Sequence, residues 1–205
     1  MQSLLASQAQ KAIDRHFSTL DKTHLVYEVK QQAWQIFSQR GFPSLKNEAY
    51  KYTPITNTLA EVFDLSQNQA ASKLTQEALM PLVQHEIDAY QLVFINGQLS
   101  KAHSSLGSHE QPWQFLTFTE AYQQHQASFL QHWSQPAPEE ADAFAALNTA
   151  LFKEGTLIHM ADHTVLDKPL FIYHITDAST NQRVTYPRLL IVLGKNSQRS
   201  EEHTS

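Results

Sequence analysis

The run Leu189-Leu190-Ile191-Val192-Leu193 constrains the fold more than any other stretch of the chain. Successive side chains of a strand point to opposite faces, so five consecutive apolar residues make both faces hydrophobic. Such a strand suits a position covered on both sides and not the last edge of a finished sheet. Only a turn and a polar ending, Arg199-Ser-Glu-Glu-His-Thr-Ser205, come after it here. Further strands are therefore expected beyond it.

Composition narrows the function classes. Fifteen Lys+Arg against twenty Asp+Glu give a formal charge of −5 over 205 residues, which supplies no basic footprint for nucleic acid or an anionic membrane. With no cysteine in the chain, disulfides and thiolate-held zinc or iron–sulfur centres using its own ligands are excluded. The N-terminus lacks a basic start followed by an unbroken apolar run, and no stretch reaches membrane-spanning length, so the expected location is cytoplasmic. Five glycines, each well separated from the next, cannot build a P-loop or a dinucleotide fingerprint.

Along the chain, apolar residues at three- and four-residue spacing predict helices over Leu4 to Leu20 and Val26 to Arg40, the second closed by Gly41 and Pro43. The segment 43–58 has no period and reads as an ordered loop, followed by a short helix near 59–65 and an interrupted helix over Ser72 to His85 around Pro81. Asn96-Gly97 between two apolar runs is a type I′ hairpin signal. A strand over 111–118 leads to Thr117-x-x-Glu120, a capping-box pattern opening a helix that runs to Trp133. Another helix is expected from Glu139 to Phe152, closing at Gly155. Beyond Gly155 the helical period gives way to three β-type runs, "TLIHM", "KPLFIYHI" and "RLLIVLG". No helix of crossover length separates them, which argues against a doubly wound sheet. An antiparallel meander or the first coils of a parallel solenoid both fit; only the solenoid must continue.

Few residues offer chemistry. His159 and His163 with Asp162 between them have metal-like spacing, but the first falls in a strand and the second in the turn after it, so two ordinary surface histidines are the better account. His125 and His132 suit the polar face of a helix. There is no cysteine nucleophile and no G-x-S-x-G elbow. The Glu139-Glu140 pair fits a helix start, where the dipole favours negative charge. Tyr50 and Tyr52, with Lys46 and Lys51 nearby, would share a face if extended and could stack on a base or sugar, although packing onto the helices explains them more simply. No catalytic residue and no metal ligand is assigned, and no cofactor-binding residue can be named.

Three stretches carry a resemblance: "GFPSLKNEAYKYTPI", "LVFINGQLS" and "FAALNTALFKEGTLIHM…LDKPLFIYHI…YPRLLIVLGKNSQ". In order and spacing they resemble the SufB/SufD family of iron–sulfur cluster assembly proteins, the N-terminal pieces being more like SufD than SufB. Tyr50 stands where that family usually has tryptophan. The resemblance runs through Gln198, and Arg199 to Ser205 does not match it; those residues spell one frame of a sequencing adapter and are expected not to belong to the protein.

The resemblance implies an α+β fold: a mainly helical N-terminal domain with a small hairpin over 1–143, the start of a right-handed parallel β-helix over 144–198, and a non-native tail over 199–205. It implies a non-enzymatic scaffold subunit that pairs with a SufB-like subunit through the β-helix and with a SufC-like ATPase through a C-terminal domain lying beyond this sequence. The iron–sulfur cluster then belongs to the complex and none is held by this stretch alone. A β-solenoid enzyme acting on polysaccharides would need carboxylates in register along one coil face, for which only Asp162 and Asp167 are available. A free-standing adaptor module is the third possibility.

Overall fold

A computed structural model describes residues 2–23, 26–44, 47–53, 55, 72, 74–83, 86–106, 113–133, 142–177 and 184–197. The fold is mixed α+β, with five α-helices and two three-stranded sheets in the described residues. The chain forms two compact units, each assembled from separated stretches. One contains Met1–Ala71, Ser134–Lys153 and Ala178–Arg188; the other contains Ser72–Trp133, Glu154–Asp177 and Leu189–Ser205.

The first unit is helical. Its elements are α1 (Gln2–Ser18), α2 (Tyr27–Arg40), a 3₁₀ turn over Glu48–Tyr50, and a helix over Ala143–Leu151 that becomes α5 in chain order. Ala143, Ala146 and Ala150 recur on one face of α5 and let α2 approach closely, so that Ala33 and Phe37 pack against them with Ile13 and Leu147. An aromatic series borders this core: Phe17 stacks on Trp34 at 4.4 Å, and Phe37 meets Phe42 edge-on at 5.3 Å. α2 ends where Gly41 turns left-handed (φ 65°) and its N–H donates to the Phe37 carbonyl at 2.7 Å, as the Arg40-Gly41 pair predicts.

α5 begins later and ends earlier than its sequence suggests. Asp142 is its N-cap, Oδ1 accepting from the Phe144 N–H at 2.9 Å, and Phe152 is its C-cap. Gly155 does not close it, because it lies past the cap and has no left-handed φ. Glu139 and Glu140 lie outside the described residues. Lys30 of α2 is only 2% exposed. Its Nζ donates to the Phe152 carbonyl at 2.7 Å and sits 4.1 Å from the centre of that residue's ring. A cation is thus placed at the negative end of α5.

The second unit holds β1 (Tyr90–Ile95), β2 (Gln98–Leu99), β3 (Trp113–Thr117), β4 (Thr156–Met160), β5 (Leu170–Ile175) and β6 (Leu189–Leu193), with α3 (Gln76–Leu79) and α4 (Phe118–Trp133). One sheet has the order β2-β1-β5 and the other β3-β4-β6. β1 and β2 form the hairpin read from Asn96-Gly97, both residues with positive φ (52° and 79°). The Ser72 to His85 segment is not a long helix: Thr75 caps the single turn of α3, and a 3₁₀ turn over Met80–Leu82 takes up Pro81, whose ring would clash in a helix interior. The expected helix near 59–65 lies outside the described residues.

Between the sheets, Leu92 and Phe94 meet Ile158, with Leu170, Ile172, Leu189 and Ile191 around them. On the far face of the first sheet Val93 and Ile95 pack on Leu79 and Val83. α4 lies against β3 and β4. Its start is the predicted capping box: the Thr117 N–H donates to Glu120 Oε2 at 2.7 Å and the Glu120 N–H to Thr117 Oγ1 at 3.1 Å. Thr117's N–H holds the Glu120 carboxyl below its usual range. Glu154 reinforces the same end, accepting from the Phe118 N–H and the Thr119 hydroxyl.

The three C-terminal runs do not form a meander. β4 and β6 pair in parallel, each residue facing the one 33 positions on, from Thr156 with Leu189 to Met160 with Leu193. β5, between them in sequence, belongs to the other sheet and runs parallel to β1. The offset of 33 continues past the strands: the Gly194 N–H donates to the Met160 carbonyl at 2.9 Å, and His163 and Asn196 both turn left-handed (φ 59° and 56°). Asp162 Oδ1 accepts from the Lys195 N–H at 2.7 Å. Two successive corners are therefore stacked with the same backbone shape. Gly194 permits it, since a Cβ there would lie 2.4 Å from the Asp162 nitrogen.

Two substitutions would measure what these contacts are worth. Gly194→Ala forces backbone against backbone and is expected to cost about 2 kcal/mol, read by chemical denaturation. Lys30→Ala leaves a buried carbonyl without its cation and is expected to cost about 3 kcal/mol in the same measurement.

Candidate functional site

The histidine spacing in "HMADH" does not make one site. Asp162 and His163 form the stacked corner, where the His163 N–H donates to the Lys195 carbonyl and its Nδ1 lies 3.4 Å from Asn196 Nδ2. The corner's backbone bonds use Asp162 as an acceptor, a structural role that metal spacing alone would not reveal. His159 sits apart from these, in register with Gln114 on β3 and Val192 on β6.

His159 instead meets α4. Its ring stacks on that of His125 with 5.6 Å between centres and 21° between planes, and His125 Nε2 lies 3.2 Å from Gln114 Oε1. Burial is the main cause that holds the His159 ring below the ordinary imidazole range; the charges of His125 and His132 act in the same direction and Asp162 opposes them. The cluster joins residues far apart in sequence, and the signal that could have found it is the placement of histidine at 125 and 132, two helical turns apart on the element that covers β4. Among the described residues no group of three or more histidine, aspartate or glutamate side chains is arranged to hold a metal ion.

Tyr50 and Tyr52 do not share a face. The segment turns as a 3₁₀ helix over Glu48–Tyr50 and is not extended. Tyr50 packs against Phe144 and its hydroxyl donates to Asp142 Oδ2, so one carboxylate serves both the tyrosine and the start of α5. Burial, the Asp142 hydrogen bond and its charge push the Tyr50 hydroxyl up to about 12. Tyr52 is 87% exposed, with Lys51 Nζ 5.5 Å from its ring centre. Lys46 lies outside the described residues. Asp167 accepts from the Tyr90 hydroxyl at 2.8 Å, fastening the start of β5 to β1.

A pocket of about 270 Å³ in the second unit is bordered by Gln76, Leu79, Val83, Gln91, His103 and Ser104. Ser100 Oγ lies 2.7 Å from His103 Nδ1 across one short turn. A nucleophilic serine needs its base oriented from the far ring nitrogen, and among the described residues no carboxylate hydrogen-bonds His103. The contact is local to the turn over Lys101–His103, where the Ser104 hydroxyl also donates to the Ser100 carbonyl. No described helix is long and apolar enough to cross a membrane.

Comparison with curated proteins gives no match. A family profile does: the one described as the SufBD protein N-terminal region covers residues 5–172, which takes in the described elements of both units from α1 to the start of β5. The match takes in the first two stretches on which the resemblance rests, 41–55 and 92–100, and the third as far as residue 172. The chain belongs to the SufB/SufD family of iron–sulfur cluster assembly proteins.

Proposed function

We propose that this chain is SufD-like and acts as a non-enzymatic scaffold in the SUF iron–sulfur assembly complex, with β4, β5 and β6 as the opening of a right-handed parallel β-helix. The observation that carries this reading is the 33-residue step from β4 to β6 with β5 in the opposite sheet. A coil that returns to pair in parallel with itself, with its corner repeated, is the unit from which solenoids are stacked. Among the described residues β5 and β6 are each paired along one edge only, which leaves backbone donors and acceptors for the next coil. The family match supports the assembly role.

On this reading the β-helix presents the surface that a SufB-like subunit joins, and a SufC-like ATPase docks on a C-terminal domain beyond this sequence. Any iron–sulfur cluster is held by ligands from partners, in keeping with a cytoplasmic complex and a chain without cysteine. A tagged, intact protein containing this chain, co-expressed with the SufB-like subunit and the ATPase, is expected to co-purify with both, and the complex to acquire iron and sulfide on reconstitution. Recovery of a folded protein with neither subunit bound would overturn the proposal.

A further inference from the structure

The contact of His125 with His159 has no part in the scaffold reading, and it stands at a break in α4. Helix geometry fails at His125 itself (φ −138°, ψ 42°). Sharp kinks usually trace to proline, to glycine or to a side chain inserted in the ladder, and neither proline nor glycine occurs in Phe118–Trp133. The ring from the broken position lies on His159, which leaves β4 on the same face as Leu157, next to Gln114 and Val192. α4 is in contact with both β3 and β4.

We propose that the His125–His159 stack is a proton-sensitive clasp, which holds the second half of α4 on its sheet while the His159 ring is neutral and loosens that half when that ring takes up a proton. Two neutral imidazoles stack as flat rings with complementary edges and faces. A proton on His159 places a charge on a partly buried ring, which burial disfavours.

The surrounding charges fit this assignment. From α4, His132 adds a second repulsive partner; from the turn after β4, Asp162 favours the charged ring. β3 and β6 contribute only Gln114 and Val192 beside His159. Because the folded state holds His159 below its unfolded value of about 6.5, the unfolded form binds more protons in that window. The stabilisation is therefore complete above that pH and is lost as pH falls through the lowered folded value.

A second histidine complicates a global measurement. His174 stacks on Phe94 at 4.9 Å, and burial lowers its ring in the same direction. The test must consequently be local. Amide exchange on the full chain is compared at about pH 7.5 and about pH 5.5, corrected for intrinsic rates. Opening of 126–133 is expected to rise on the order of fivefold more than opening of β1 and β5, and His159→Gln or His125→Gln should each abolish that excess. An excess that survives in both variants, or a rise of equal size throughout the second unit, overturns the clasp. If His159→Gln does not fold, the partly exposed His125→Gln decides. Ring titration of the unaltered protein by NMR gives an independent reading: His159 is expected to titrate below the ordinary imidazole range, and a midpoint at the ordinary value would refute the clasp.

Discussion

The close approach of two corners, one after β4 and one after β6, is the constraint on which the sheet unit depends. Parallel strands cannot be joined by a tight hairpin, and their bonds form only if the chain returns to the starting side at the correct height. Here no crossover helix occurs among the described residues between β4 and β6, and β5 lies in the facing sheet. The register is then set where Gly194 lies against Ala161 and Asp162 and where the Asp162 carboxylate captures a backbone donor from Lys195. A slip by one residue would reverse the faces of Leu189 and Ile191 and remove both from the layer they share with Ile158. Backbone fit and hydrophobic alternation thus specify one alignment.

Polar residues do much of the corresponding alignment elsewhere. Glu120 and Glu154 both accept from backbone donors at the start of α4, where helix geometry leaves N–H groups without partners inside the helix. Asp142 ties the turn carrying Tyr50 to the start of α5, and Lys30 meets the other end of that helix. These side chains look like unremarkable surface charge in the sequence. Their partners are distant in the chain, and that distance makes them informative about the fold.

Local signals were legible in proportion to how much of their cause lies within a few residues. The Asn96-Gly97 turn, the Thr117–Glu120 box and the ending of α2 at Gly41 all depend on short-range sterics and hydrogen bonds, and each formed as read. Periodicity found α1, α2 and α4. The end of α5 was misplaced because Gly155 serves the packing of another helix, where its missing Cβ leaves room for the Phe118 ring, 2.2 Å from the position that carbon would take. Whether the three late strands paired parallel or antiparallel was open, since periodicity carries no information about partners. The candidate site was the least legible part. The "HMADH" spacing drew attention to His163, whereas the partner of His159 proved to be His125, on a helix that precedes β4 by a stretch of intervening chain.

Because each compact unit is assembled from stretches that alternate along the chain, order of synthesis and order of completion differ. α1 and α2 emerge from a ribosome early, yet the aromatic and alanine surface they need arrives with α5, and Val184 and Tyr186 later still. The helical unit therefore waits for residues made after most of the sheet unit, and its early helices remain without their packing partners during that interval. Closure of such long loops slows folding more than it lowers final stability, so nascent chains of this protein present apolar helix faces to chaperones for longer than a contiguous helical bundle of the same size would.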